Sequence, residues 1–388
     1  MYDFDTFIPR KNTACVKYDG ASVFKKPEGL LPLWVADMDF PAPDAVRDRL
    51  RQCADHGIFG YPLAPESYYK AVLDWFSEHF AFQAERRWIV PAPGVVFALA
   101  SALRAFTEPG DSILINRPVY YPFSNVILQN HRSLISSSLV LKEGKYEIDF
   151  ADMEQKIIDH KIKLYILCSP HNPVGRVWTE GELKQIASLC RKHGVRVVSD
   201  EIHCDFVWSE HPHRNFAALN PDMAEYSMIC TAPSKTFNLA GLQTSNIFLP
   251  GQEMRRRFRR ELQAQGAEGQ NYPGMLACEA AYRHGLPWLQ ELRSYLGGNI
   301  AFIRNAVQRE LPGVHLIEPE GTYLLWLDFR EFKLPEDALE QLITDAGLWL
   351  DEGTMFGPEG LGFQRMNIAC PRSLLEEAIR RLKARLLP

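Results

Sequence analysis

Apolar positions along the chain change their spacing several times, and each change marks an element. Val46 and Leu50, then Val72, Phe76 and Phe80, recur every three to four residues and predict helices over 44–55 and 65–80. Between them, Phe59-Gly60-Tyr61-Pro62 is a turn that carries an aromatic. Pro93-Gly94 opens a further helix with Val95, Val96 and Leu99. The pattern then becomes short continuous apolar runs at 113–115, 164–168, 195–198 and 228–230, which read as buried strands. A helix at about 180–192 separates two of them. This alternation predicts a mostly parallel sheet covered by helices. Helices follow at about 271–284 and 288–310. Beyond them, short strands at 323–327 and 364–368 lie between helices at about 335–346 and 372–386, the pattern of a smaller α+β unit. Residues 1–30 show no clear period. The expected architecture is therefore α/β. A large domain spans 45–285, and a small domain combines 286–388 with an N-terminal segment, 1–44, packed on it.

Composition narrows the function classes. The 388 residues are 46% hydrophobic and 23% charged, with a formal net charge of -5. Nothing in that balance selects nucleic acid or an acidic membrane surface. The basic run Arg255-Arg256-Arg257, Arg259-Arg260 shares a helical period with Phe258 and Leu262, and reads as a solvated face or subunit contact. Eight cysteines occur without C-x-x-C pairs, and Cys168, Cys230 and Cys278 sit in apolar surroundings as small core residues. That usage fits a reducing cytoplasm. The acidic N-terminus has no signal-type apolar stretch, and no run approaches membrane-spanning length. No residue set is assigned to a metal.

Candidate chemistry centres on Lys235. It follows the 228–230 run between Pro233 and Gly241, and so is expected on a loop at a strand end, where catalytic groups of α/β sheets collect. A lysine can bind a carbonyl cofactor covalently if a dry pocket depresses its pKa. A lone loop lysine is more often merely solvated. Company changes that reading: Asn172 in Ser169-Pro170-His171-Asn172-Pro173-Val174-Gly175 and Asp200 in Ser199-Asp200-Glu201-Ile202-His203 each follow a strand. In a parallel sheet all three motifs share one edge. Gly94-Val95-Val96 at a helix start leaves backbone N–H groups for an anion. Asp37 and Asp39, inside the apolar stretch 33–40, either cap the helix near Asp44 or lie near a pocket.

In this order, H-N-P-x-G, S-D-E and S-K-T-F resemble the fold-type-I pyridoxal-phosphate enzymes of the class I/II aminotransferase superfamily over nearly the whole chain. The stretches 34–40, 199–203 and 367–372 look like its MalY/PatB group of cystathionine β-lyase-like carbon–sulfur lyases. The resemblance implies pyridoxal 5′-phosphate as cofactor. It implies that Lys235 carries it covalently and later takes the substrate's Cα proton. Asp200 would pair with the pyridine nitrogen, Asn172 would donate to the ring oxygen, and Tyr120 would stack on the ring. Phosphate would rest on Gly94, Val95 and Val96, with a hydroxyl from Thr231 or Ser234. Tyr61 would reach a neighbouring subunit's phosphate, which implies a homodimer. Arg365 would clamp the substrate's α-carboxylate. Two positions depart from the aminotransferase pattern. Gln243 stands where many have a phosphate-binding arginine, and His203 where many have tyrosine. His203 is either a cofactor contact or a packed histidine.

The resulting expectation is a cytoplasmic, homodimeric lyase. It would cleave the Cβ–S bond of L-cystathionine or related S-substituted cysteines to a thiol, pyruvate and ammonia. The alternatives are a pyridoxal-phosphate aminotransferase, which shares the main site residues, and a regulatory binding protein on the same scaffold.

Overall fold

Ser227–Thr231 is buried at every residue, as are Leu164–Cys168 and Ser245–Phe248. Such runs need cover on both faces, and a helix-flanked sheet supplies it. The computed structural model describes residues 2–386 apart from Ser209, His211, Glu268 and Glu336. The outer ends of the expected spans 1–44 and 286–388, and Glu336 of the expected helix 335–346, lie outside the described residues.

Seven strands form the large sheet: β1 (Ile89–Ala92), β2 (Ser112–Ile115), β3 (Ser133–Ser136), β4 (Leu164–Cys168), β5 (Arg196–Asp200), β6 (Ser227–Thr231) and β7 (Ser245–Phe248). Their order is β1-β7-β6-β5-β4-β2-β3. Neighbours from β3 to β6 pair in parallel, and β7 runs antiparallel to both β6 and β1. The carboxyl ends of β4, β5 and β6 are adjacent, so the residues that leave them meet at one edge. The helix Val95–Phe106 packs against Gln252–Ala264, and Tyr272–His284 packs against Asp44–His56 and Glu66–Phe80.

The second sheet is antiparallel, in the order β8 (His315–Ile317), β9 (Leu324–Asp328), β11 (Phe363–Asn367), β10 (Asp351–Glu352). The N-terminal segment joins this region. Leu31–Pro32 pairs in parallel with Leu348–Trp349, and the Asn367 N–H donates to the Leu33 carbonyl at 2.8 Å. The Trp34 and Trp349 rings stack at 4.3 Å.

Three local expectations need correction. Lys235 sits on a single helical turn, Pro233–Thr236, rather than on an open loop. Pro233 occupies its first turn, where the missing N–H costs nothing. Asp200 is the last residue of β5 and does not follow it. Arg255 is buried against the carbonyls of Leu249 and Pro250, at 2.6 and 2.9 Å, so the basic run is not one solvated face. Among the described residues, no helix is long and apolar enough to cross a membrane.

Candidate active site

A cavity of about 430 Å³ opens where β4, β5 and β6 end, against the start of the helix Val95–Phe106. Gly94, Val95, Val96, Tyr120, Asn172, Asp200, His203, Ser234 and Lys235 all line it. A Cβ on Gly94 would meet no atom within 4 Å, so its backbone faces open space. The helix it caps has unpaired N–H groups and a positive dipole end there, a setting made for an anion.

Lys235 Nζ donates to the Ala36 carbonyl at 2.6 Å. Burial lowers its pKa to about 8, helped by the positive charge of Arg365, while Asp37 and Asp200 pull the other way. The amine is thus far closer to its neutral, nucleophilic form than a surface lysine. Asp200 is buried and accepts from the Ile202 N–H at 3.2 Å. Burial raises its pKa to about 7, against the pull of that N–H and of Lys235, so it lacks a full cationic partner. Burial also pushes His203 well below its ordinary value, with Lys235 and Arg365 adding to the shift. The ring is neutral, and its Nδ1 has no hydrogen-bond partner.

Asn172 links this cavity to Arg365. Its Oδ1 accepts from Arg365 Nη1 at 3.0 Å, and its carbonyl accepts from the Tyr120 N–H at 2.9 Å. Arg365 is itself buried, with Nη2 donating to the Trp34 carbonyl at 2.9 Å.

Three expected site residues lie outside the lining: Arg365 stands behind Asn172, and Thr231 and Tyr61 lie elsewhere. Thr231 is not part of the lining, because its hydroxyl donates to the Asn246 carbonyl at 2.7 Å. Tyr61 projects into solvent, fully exposed, in a stretch where Ile58, Phe59 and Leu63 are also uncovered. Sequence reasoning missed Ala36, Phe97, Ile202, Ala240 and Thr244 in the lining. Small and apolar residues give no chemical signal of their own, although Ala36 falls inside the singled-out stretch 34–40.

Asp37 and Asp39 do not cap the helix that starts at Asp44, whose N-cap position is Pro43 without a side-chain bond. They hold the segment beside Lys235 instead. Arg10 Nη1 meets Asp39 at 2.7 Å, and Arg10 Nη2 meets Asp37 at 2.6 Å. Lys17 and Asp39, both fully buried, pair at 2.8 Å. Replacing Lys17 by methionine should destabilise the protein by about 3 kcal/mol. That is the lower end of the 3–5 kcal/mol typical for breaking a buried pair, because Arg10 still faces Asp39. Urea unfolding measures this, and a loss below about 1 kcal/mol would rank the pair with surface bridges.

Comparison with known proteins adds to this geometry. The family profile described as aminotransferase class I and II matches residues 29–382. The chain belongs to this family. Cystathionine beta-lyase PatB of Bacillus subtilis is 42% identical, covering 99% of this chain and all of that one. Protein MalY of Escherichia coli is 33% identical over 98% of this chain and 97% of its own. Cystalysin from Treponema denticola, a structure containing pyridoxal 5′-phosphate, superposes with a TM-score of 0.96. It is 36% identical and covers all of this chain and 99% of that one. The fold of this family member, with its large mostly parallel sheet, is the pyridoxal-phosphate fold type I expected from the motifs.

Proposed function

We propose that this family member is a pyridoxal-phosphate-dependent carbon–sulfur β-lyase acting on L-cystathionine or related S-substituted cysteines. The observation that carries the reading is one cavity holding a lysine lowered to about 8, a buried aspartate raised to about 7, and a helix N-terminus. Those features fit the cofactor's aldehyde, pyridine nitrogen and phosphate in turn. A protonated ring nitrogen would give Asp200 the opposite charge it lacks. The lyase names of PatB and the putative relatives from Mycobacterium support the same reaction. Equal yields of thiol and pyruvate from L-cystathionine test the reading, and thiol without pyruvate overturns it.

When bound, pyridoxal phosphate supplies an electron sink for charge developing at the substrate Cα. Lys235 would hold the cofactor and then, as a free amine, take the Cα proton. Asp200 would keep the ring nitrogen protonated. With Oδ1 turned to Arg365, Asn172 has its amide N–H left to donate to the ring oxygen. Tyr120 would cover one ring face, and Gly94, Val95, Val96 and Ser234 would hold the phosphate. Neutral His203 would offer its unpartnered Nδ1 to the cofactor, and Arg365 would orient the α-carboxylate. Thr231, outside the lining and with its hydroxyl donated to the Asn246 carbonyl, leaves the phosphate hydroxyl contact to Ser234. Expulsion of a thiolate from Cβ commits the substrate to elimination. The second reading, transamination, shares every one of these residues, and the family description favours it.

The division into 45–285 and 1–44 with 286–388 belongs to the same proposal, supported by the separation of the seven-stranded sheet from the four-stranded one. So does a homodimer. Ile58, Phe59, Tyr61 and Leu63 form an exposed apolar stretch suited to a second copy of the chain. Tyr61 would then reach the partner's phosphate. Mixing inactive Tyr61→Ala and Lys235→Ala variants under subunit exchange should restore activity, since each hybrid holds one intact site. Hybrids confirmed by mass but inactive would remove Tyr61 from the neighbouring site.

A further inference from the structure

Arg365 is not a free clamp. Residues 365 and 351 are directly opposed across β11 and β10, and the short cross-strand register puts their side chains in contact. Arg365 Nη2 donates to both the Trp34 carbonyl and the Asp351 carboxylate. A guanidinium can grip a carboxylate bidentately through Nε with Nη2, or through Nη1 with Nη2. Both grips use Nη2, and both its hydrogens are taken. The Trp34 carbonyl is held by neighbouring backbone pairing, in which the Leu33 N–H bonds to the Trp349 carbonyl. Asp351 is the partner that can turn or lose its charge.

Resting on Arg365 as the carboxylate site, we propose that Asp351 is an internal competitor for the substrate's α-carboxylate. Binding then requires Asp351 to take up a proton and release Arg365. Two carboxylates on one guanidinium leave a net negative charge in a buried place, and the resident one protonates in response. The other groups facing Asp351 are Glu340, Lys26, Tyr120 and Tyr121. Glu340 pairs with Lys26, so it does not neutralise Arg365 in Asp351's place. Burial already raises Asp351, Arg365 and Lys26 oppose that rise, and Glu340 reinforces it. A second carboxylate raises it further. Affinity is therefore full at pH below the free-state titration of Asp351 and falls as pH rises through the window between its free and bound values. The fall approaches about tenfold per pH unit for one linked proton.

The test uses the cofactor-loaded enzyme and 3-(methylthio)propionate, a carboxylate with no amine to titrate. Calorimetry in buffers of different ionisation enthalpy should show uptake approaching one proton per site. The cofactor's visible absorbance accounts for any proton bound there. Asp351→Asn should bind the probe more tightly and take up no proton. Wild-type binding without proton uptake overturns the proposal, whether or not D351N folds, and so does uptake that persists in D351N. Unchanged probe binding in Arg365→Ala would instead defeat the assignment of Arg365 itself.

Discussion

Replacing Lys235 by alanine should cut pyruvate release from L-cystathionine by roughly 10⁴-fold, the upper end for losing a positioned general base. The loss is large because, among the described residues, no other lysine lines the cavity to hold the cofactor or take the proton. Borohydride reduction of the loaded wild type, then peptide mapping, should place the pyridoxyl group on Lys235, and the variant should carry none. The pH dependence has a definite sign. Burial lowers this amine from 10.5 to about 8, so its neutral form dominates above pH 8. Cofactor uptake by cofactor-free protein should therefore rise with pH up to about 8 and level off. Uptake that keeps climbing towards pH 10 would describe an ordinary exposed lysine.

Asp200→Asn should retain some cofactor yet lower turnover by about 10²–10³-fold, the scale for removing one preorganised charge-stabilising group. The carboxylate is buried and held by the Ile202 N–H, so its charge acts in a medium that screens it little. An amide keeps the shape but cannot hold the ring nitrogen protonated. Wild-type turnover in this variant would leave Asp200 as the end of a strand and nothing more.

Much of the site was legible because its groups follow buried strands. Cys168, Asp200 and Thr231 end β4, β5 and β6, and continuous apolar runs announced all three. The helices Asp44–His56 and Glu66–Phe80 were legible from a steady apolar stripe. β3 was not: it is a half-exposed edge strand, Ser133–Ser136, with too little apolar content to stand out. β1 carries Pro91, and β7 opens on Ser245-Asn246, so neither looks like a strand alone. Contacts between distant segments were also hidden. Lys17 finds Asp39 22 positions away, and Asp351 meets Arg365 only through the register of a two-residue strand. Local pattern carries no information about such pairings, because tertiary packing creates them.

Charge developing at Cα is expected to leave through a carbon–sulfur bond. Lys235, Asp200 and Asn172 would serve elimination and transamination alike, and the leaving group on Cβ decides between them. The deciding measurement is pyruvate released from L-cystathionine by the loaded enzyme with no 2-oxo acid present. Continuous release over many turnovers, with thiol in equal amount, is the predicted result. Turnover that stalls after one equivalent per site and resumes only on adding a 2-oxo acid would contradict it and make the enzyme an aminotransferase.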